Sequence, residues 1–245
     1  MQINTKLWLM LCLIIGCGTA SEVNAQGKVY YTVDLGVTVS FFDKKTAPYP
    51  DPSAVAAFDK ASRASLELGG NINYLLSNVF TLSSGLRYAE KGGGYKTKNP
   101  DFIYVNSVSG SKTDDAYNYL KYRLVYLELP VVVKFNLFRA LNIGSETADL
   151  NLYGGVTGGL NIGSKLRYNV FESGEEEKWK ANKLKGAEDL LLSSVTGAEW
   201  SNGPLMLYVR YTQNIGNVYD TTEPGYENFN VNMHTISIGM GIILR

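Results

Sequence analysis

Residues Val29 to Phe41 alternate almost without fault. Val29, Tyr31, Val33, Leu35, Val37, Val39 and Phe41 fall on one parity, and Tyr30, Thr32, Asp34, Gly36, Thr38 and Ser40 on the other. Side chains along a strand point to opposite faces with a period of two, so this segment has one apolar and one polar face. It is longer than the usual globular strand of about five or six residues. A tilted strand crosses the hydrocarbon of a bilayer in about ten residues, so a strand of this length and polarity points to a sheet closed into a barrel in an outer membrane.

Seven further segments repeat the pattern. Ala64, Leu66, Leu68, Ile72, Tyr74 and Leu76 oppose Ser65, Glu67, Asn71 and Asn73; after a brief Ser77-Asn78 turn, Phe80, Leu82, Leu86 and Tyr88 oppose Thr81, Ser83, Gly85 and Arg87. From about Leu120 to Asn136, Leu127, Leu129, Val131, Val133 and Phe135 form an outward stripe, while Tyr122, Tyr126, Glu128, Pro130 and Lys134 fall inward. A fifth strand sets Leu150, Leu152, Val156, Leu160 and Ile162 against Asn151, Tyr153, Thr157 and Asn161. The sixth, about Asp189 to Trp200, has two possible registers because Leu190, Leu191 and Leu192 are consecutive. In the seventh, Leu205, Leu207, Val209 and Tyr211 oppose Arg210, Thr212 and Asn214; in the eighth, Ile236, Ile238, Met240, Ile242 and Leu244 oppose Thr235, Ser237, Gly239 and Gly241. Gly154-Gly155 and Gly158-Gly159 permit the curvature that closing a small barrel demands.

Connection lengths alternate. Long polar stretches, about Phe42 to Arg63, Gly92 to Asn118, Ser164 to Lys183 and Gly216 to Val231, follow the odd strands. Shorter links, Ser77-Asn78, about Leu137 to Ala148, and Ser201-Asn202-Gly203, follow the even ones. Long outer loops and short periplasmic turns are the asymmetry of an outer-membrane barrel, and eight strands put both termini on the periplasmic side. The expected fold is therefore all-β, an eight-stranded antiparallel transmembrane up-and-down barrel. A lipocalin-like barrel or a sandwich also alternates, but with its apolar parity inward and charge outside. Here the polar parity is rich in Gly, Ser, Thr and Asn with isolated charges, which suits a hydrogen-bonded lumen.

The first residues read as an export signal. Lys6 provides a sparse positive region, Leu7 to Gly16 an apolar one, and Val23-Asn24-Ala25 a small-residue cleavage site. The expected organisation is a signal peptide over residues 1–25 and a barrel domain over 26–245. A competing reading of Ile14-Ile15-Gly16-Cys17 is a lipoprotein box with Cys17 acylated. With cleavage after Ala25 both cysteines, Cys12 and Cys17, leave with the leader, so the remaining chain has no thiol chemistry. The 23 basic and 23 acidic residues balance, which argues against nucleic acid as a partner. Mean hydropathy of −0.09 is too low for a helical membrane protein yet suits a barrel, where one side chain in two faces lipid.

No constellation in the sequence marks a catalytic, cofactor or metal site. His234, the one histidine, stands near the outer end of the last strand on the apolar parity. A hydroxyl nucleophile needs a base, but Thr235 points the other way and no serine follows at alternate spacing, so an interfacial anchor is the expected role. One histidine and no remaining cysteine leave only carboxylates for metals; Asp114-Asp115 and Glu175-Glu176-Glu177 read as solvated loop or weak Ca²⁺ ligands. The inward charges Asp34, Glu67, Arg87, Glu128, Lys134 and Arg210 either line a narrow path or pair with one another. Pairing is the stronger expectation, because an uncompensated buried charge costs several kcal/mol. An eight-strand lumen is just wide enough for side chains to fill. Tyr31, Tyr74, Tyr88 and Trp200 are candidates for interfacial girdles. Tyr95, Tyr104, Tyr117, Trp179, Tyr219, Tyr226 and Phe229 fall in the long loops, to meet a protein or glycan partner or to pack as a lid.

Four stretches resemble one family, the PorT-type outer-membrane β-barrel domain of Bacteroidota. They are Gly85-Leu86-Arg87-Tyr88-Ala89-Glu90-Lys91-Gly92, Tyr126-Leu127-Glu128-Leu129-Pro130-Val131-Val132-Val133-Lys134-Phe135, Tyr153-Gly154-Gly155-Val156-Thr157-Gly158-Gly159-Leu160 and Arg210-Tyr211-Thr212-Gln213-Asn214-Ile215-Gly216-Asn217-Val218. The stretch from Tyr126 to Phe135 is similar to the family's Tyr-Leu-Glu-Ile-Pro-apolar-Lys strand and is the most specific of the four. The resemblance implies an eight-stranded protein of the outer membrane, in contact with its lipid and, in some members, serving as an accessory of type IX secretion. Most members have no assigned role. With no catalytic or cofactor constellation in the sequence, the expected protein is non-enzymatic and without a cofactor; partners would be envelope or secretion-system proteins met through the long loops. A narrow solute channel and a lipid-modifying enzyme centred on His234 are the alternative readings. One departure is the end Ile243-Leu244-Arg245, where barrel strands commonly finish on an aromatic residue.

Overall fold

The alternating segments become the staves of a closed antiparallel barrel. The computed structural model describes residues 29–43, 59–98, 117–143, 148–172, 175–181, 187–219 and 231–244. Its strands are β1 (Val29–Phe42), β2 (Asp59–Ala61), β3 (Arg63–Leu75), β4 (Phe80–Lys98), β5 (Tyr117–Asn136), β6 (Ala148–Glu172), β7 (Glu175–Ala181), β8 (Leu190–Asn202), β9 (Leu205–Asn214) and β10 (Met233–Leu244). One helical turn, α1 (Leu137–Ala140), lies between β5 and β6.

Eight of these strands form the wall. β1 pairs with β3 on one side and β10 on the other, and the ladder runs on through β9, β8, β6 and β5 until β5 meets β4. Every pairing is antiparallel, and closure leaves no lipid-facing edge of unpaired N–H and C=O groups, the condition for a sheet to stand in hydrocarbon.

The register turns the apolar parity outward. On β1, Leu35 is 54% exposed, and its partners Leu68 and Met240 are likewise exposed. On the other parity Thr32, Asp34, Thr38 and Ser40 are buried. The same inversion holds on β3, β9 and β10, where Leu66, Leu207 and Ile238 face out while Glu67, Arg210 and Ser237 face in. A water-soluble barrel reverses this arrangement. A continuous apolar belt of this extent far exceeds the few hundred Å² that a soluble monomer leaves bare. The lipocalin-like and sandwich alternatives do not describe this chain.

The structure lengthens several staves. β4 continues through Lys98 and β6 through Glu172, so the expected loops Gly92 to Asn118 and Ser164 to Lys183 begin as strand. β7 folds back onto β6 as a hairpin, and β2 pairs with β4 inside the stretch expected to be the first loop. Alternation hides the β6 extension because the β5–β6 register shifts between Val125 and Tyr126, which changes the parity that faces out. In β8, Leu191 is buried and Leu192 half exposed, which fixes the register that the three consecutive leucines leave open. The link after β5 holds α1, whose N-cap Asn136 side chain accepts from Arg139 N at 2.9 Å. Of the glycine pairs on β6, Gly155 is required by close backbone approach, since a Cβ there would stand 2.1 Å from Val131 O. Gly158 has open space.

Candidate functional site

The lumen is the place where this fold gathers charge. Among the described residues, the buried charged side chains are Asp34, Glu67, Glu128 and Glu199 against Arg87, Lys91, Lys134 and Arg210, so acids and bases balance. Glu67 is the hub. Its Oε1 accepts from Arg210 Nη1 and from Tyr208 Oη, both at 2.7 Å, and its Oε2 accepts from Ser237 Oγ at 3.1 Å. The Arg210 guanidinium also lies over the Tyr208 ring, 4.6 Å from its centroid. Asp34 accepts from Asn71 Nδ2 at 2.8 Å and faces Arg87 and Arg210, each at 3.9 Å. Lower in the barrel Lys134 donates to Glu199 at 2.6 Å, and Asn151 donates to the other carboxylate oxygen at 3.3 Å. Lys91 and Glu128 form a further buried pair.

These contacts need room, and small residues supply it. A Cβ on Gly36 would come within 2.3 Å of the Tyr208 hydroxyl, and one on Gly239 within 2.5 Å. Both glycines belong to the inward parity, so they let the Tyr208 ring cross the lumen and reach Glu67. What is left between the ion pairs is a cavity of about 30 Å³ touching Asp34, Arg87, Lys134, Tyr153, Tyr208 and Arg210. That is space for about one or two waters. The six inward charges expected from the sequence therefore meet as pairs, joined by Lys91 and Glu199. Lys91 carries no clear signal because Gly92, Gly93 and Gly94 interrupt the alternation beside it, and Glu199 carries none because three leucines blur the β8 register.

The two ends of the lumen differ. At the outer end Phe42, Tyr95, Tyr122, Tyr126 and Tyr219 pack with Leu124, Leu191, Val218, Val231 and Met233 in one buried cluster. Tyr95 and Tyr122 meet edge to face at 6.2 Å, and Phe42 meets Tyr122 at 5.8 Å. Tyr95 and Tyr219, expected in loops, are thus part of a lid across the barrel. Tyr117 lies in β5 and Trp179 in β7, while Tyr104, Tyr226 and Phe229 fall outside the described residues. At the periplasmic end a cavity of about 360 Å³ opens between Tyr30, Thr81, Asn136, Arg139, Asp149 and Glu199. Arg139 grips both oxygens of Asp149 at 2.9 Å on its rim.

His234 stands on the outer wall, not in the lumen. Its Nδ1 lies 2.6 Å from the Tyr211 hydroxyl, and its ring stacks on Phe41 at 5.4 Å. The partner is a phenol where a lipid-modifying enzyme would place a serine or carboxylate, and the three rings read as one interfacial anchor. Tyr31, Tyr88 and Trp200 are exposed on the wall and Tyr74 is half exposed, all on the lipid-facing parity. Glu175, Glu176 and Glu177 lie in β7, and Asp114 and Asp115 fall outside the described residues.

Among solved structures the chain is similar to Ail, the attachment invasion locus protein of Yersinia pestis, at 12% identity and a TM-score of 0.41, covering 89% of this chain and 100% of that one. It is also similar to Neisserial surface protein A, at 13% identity and a TM-score of 0.37 over 89% of this chain and 99% of that one. The outer membrane protease OmpT from Escherichia coli is similar at 9% identity and a TM-score of 0.41, over 91% and 99%. No curated protein sequence matches the chain. The family described as the outer membrane protein beta-barrel domain matches residues 24–220, and the chain belongs to that family.

Proposed function

We propose that this outer-membrane barrel is of PorT type and non-enzymatic, an interaction element of the cell envelope that serves as an accessory of type IX protein secretion. In this reading residues 1–25 are a signal peptide cleaved after Ala25, and partner proteins are met through the long outer loops. The observation that supports it is the filled lumen. A balanced set of buried ion pairs leaves about 30 Å³ at mid-barrel, and an aromatic cluster covers the outer end. A barrel closed in this way has its surfaces, not its interior, available for work. The Tyr126 to Phe135 strand, with Glu128 and Lys134 both turned inward as buried ion-pair members, adds the sequence resemblance to that argument.

The test is affinity purification of the tagged, full-length protein from its own envelope under mild detergent. Secretion-system components in stoichiometric yield are the expected result. A folded barrel that returns without them contradicts the accessory role.

A further inference from the structure

The periplasmic mouth of the barrel is a blind socket. Its cavity of about 360 Å³ falls in the range of small-ligand sites, about 300–1,000 Å³. Glu199, held by Lys134 at 2.6 Å, lines its inner end and also the mid-barrel cavity, where only about 30 Å³ remains. Such a socket admits a compact ligand, or one end of a longer one, and no chain that passes through.

Among the described residues, every charge on its wall is matched. Arg139 holds both oxygens of Asp149 at 2.9 Å, and Asn136 donates to the same carboxylate at 2.8 Å. Glu199 accepts from Asn151 at 3.3 Å as well as from Lys134. A charged ligand would therefore give up its hydration without meeting a free counter-ion, which is unfavourable. Uncharged polar groups do remain. Ser201 is 2% exposed and Asn151 6%, and both line the cavity. Among the described residues the Ser201 hydroxyl and the Asn151 side-chain oxygen make no hydrogen bond, although polar groups so deeply buried are normally paired. Asn78 adds a side-chain amide at the exposed turn of the mouth. Tyr30 supplies an aromatic surface: it packs against the cluster of Met206, Tyr208 and Ile243, and its hydroxyl hydrogen-bonds with Thr81, so the ring is held in place.

We infer that this periplasmic socket binds an uncharged sugar ring, presented alone or at the end of a glycan. A pyranose carries hydroxyls around its edge and apolar C–H faces above and below. It therefore matches hydroxyl and amide groups set beside an aromatic ring, and it brings no charge. An apolar ligand would leave Ser201 and Asn151 unpaired, and an ion would lack a partner of opposite sign. The proposal is independent of the PorT-type role, which rests on the outer loops.

Saturation-transfer NMR on the full-length protein in phosphatidylcholine nanodiscs, read against protein-free nanodiscs, tests it. The probes are methyl glucoside, N,N′-diacetylchitobiose, and two charged forms of the same ring, methyl glucuronide and glucosamine. Saturable binding of both uncharged probes in the millimolar range or tighter is expected, with the charged rings weaker by about tenfold or more. Tighter binding of the N-acetylated disaccharide points to a glycan end as the source, and equal binding to a free sugar. Ser201→Ala lowers the affinity about threefold to tenfold, the weight of one hydrogen bond, whereas His234→Gln on the outer wall leaves it unchanged. An unaltered barrel that takes up neither uncharged probe overturns the proposal whether or not the variants fold. So do charged rings that bind as tightly as the uncharged ones, or a Ser201→Ala barrel, folded by circular dichroism, that keeps the full affinity.

Discussion

Replacing Glu67 with alanine removes the hub of the lumen, and the structure sets the size of the loss. Glu67 is 2% exposed and takes hydrogen bonds from Arg210, Tyr208 and Ser237. Without it, Arg210 keeps only Asp34 as a close carboxylate among the described residues, at 3.9 Å and beyond hydrogen-bonding distance. Breaking a buried pair by deleting one partner costs about 3–5 kcal/mol, and the stranded Tyr208 and Ser237 hydroxyls place Glu67→Ala near the upper end. Replacing both partners, Glu67→Leu with Arg210→Met, should recover at least about 2 kcal/mol of that, since the uncompensated charge is gone while Asp34 retains Arg87 and Asn71. Urea unfolding in phosphatidylcholine vesicles, followed by Trp200 fluorescence on the lipid-facing wall, measures both. A single-variant cost below about 1 kcal/mol, the range of solvent-exposed ion pairs, would show that Glu67 is not a buried hub.

Leu35→Arg puts a charge near the middle of the apolar belt and should cost about 2–4 kcal/mol, while Leu35→Met should be close to neutral; equal tolerance of the two in the same unfolding assay would contradict the register. Phe42→Ala opens the aromatic cluster at the outer end and is expected to cost about 3–5 kcal/mol, visible as a lower urea midpoint at unchanged slope. His234→Ala removes one hydrogen bond and the ring stacks on Phe41 and Tyr211, for a loss of about 1–2 kcal/mol, and leaves the lipid composition of the envelope unchanged. A lost lipid modification in that variant would restore the enzyme reading.

Much of the wall is legible because membrane crossing imposes one rule on every stave. Val29 to Phe41 can be assigned faces from the sequence alone, and Thr32, Asp34 and Thr38 are indeed buried while Leu35 and Val37 face out. The rule loses force where the strand leaves the lipid. β6 runs past Ile162 to Glu172, held by its ladder with β5 and β7, and its outward parity changes at the irregularity opposite Val125 and Tyr126. The charges of the lumen are legible as inward, but their partners are not. Arg210 meets Glu67 across 143 residues, and Lys134 meets Glu199 from strands that are not neighbours in the ladder. Such pairings depend on how the barrel closes, which no local pattern encodes.

This barrel is closed along its axis by paired charges and capped by packed rings. Planar-bilayer recording of the purified, folded protein tests it most directly. A baseline indistinguishable from the protein-free membrane across the usual range of voltages is the expected result. Stable, ion-selective conductance steps from the unaltered protein would contradict it.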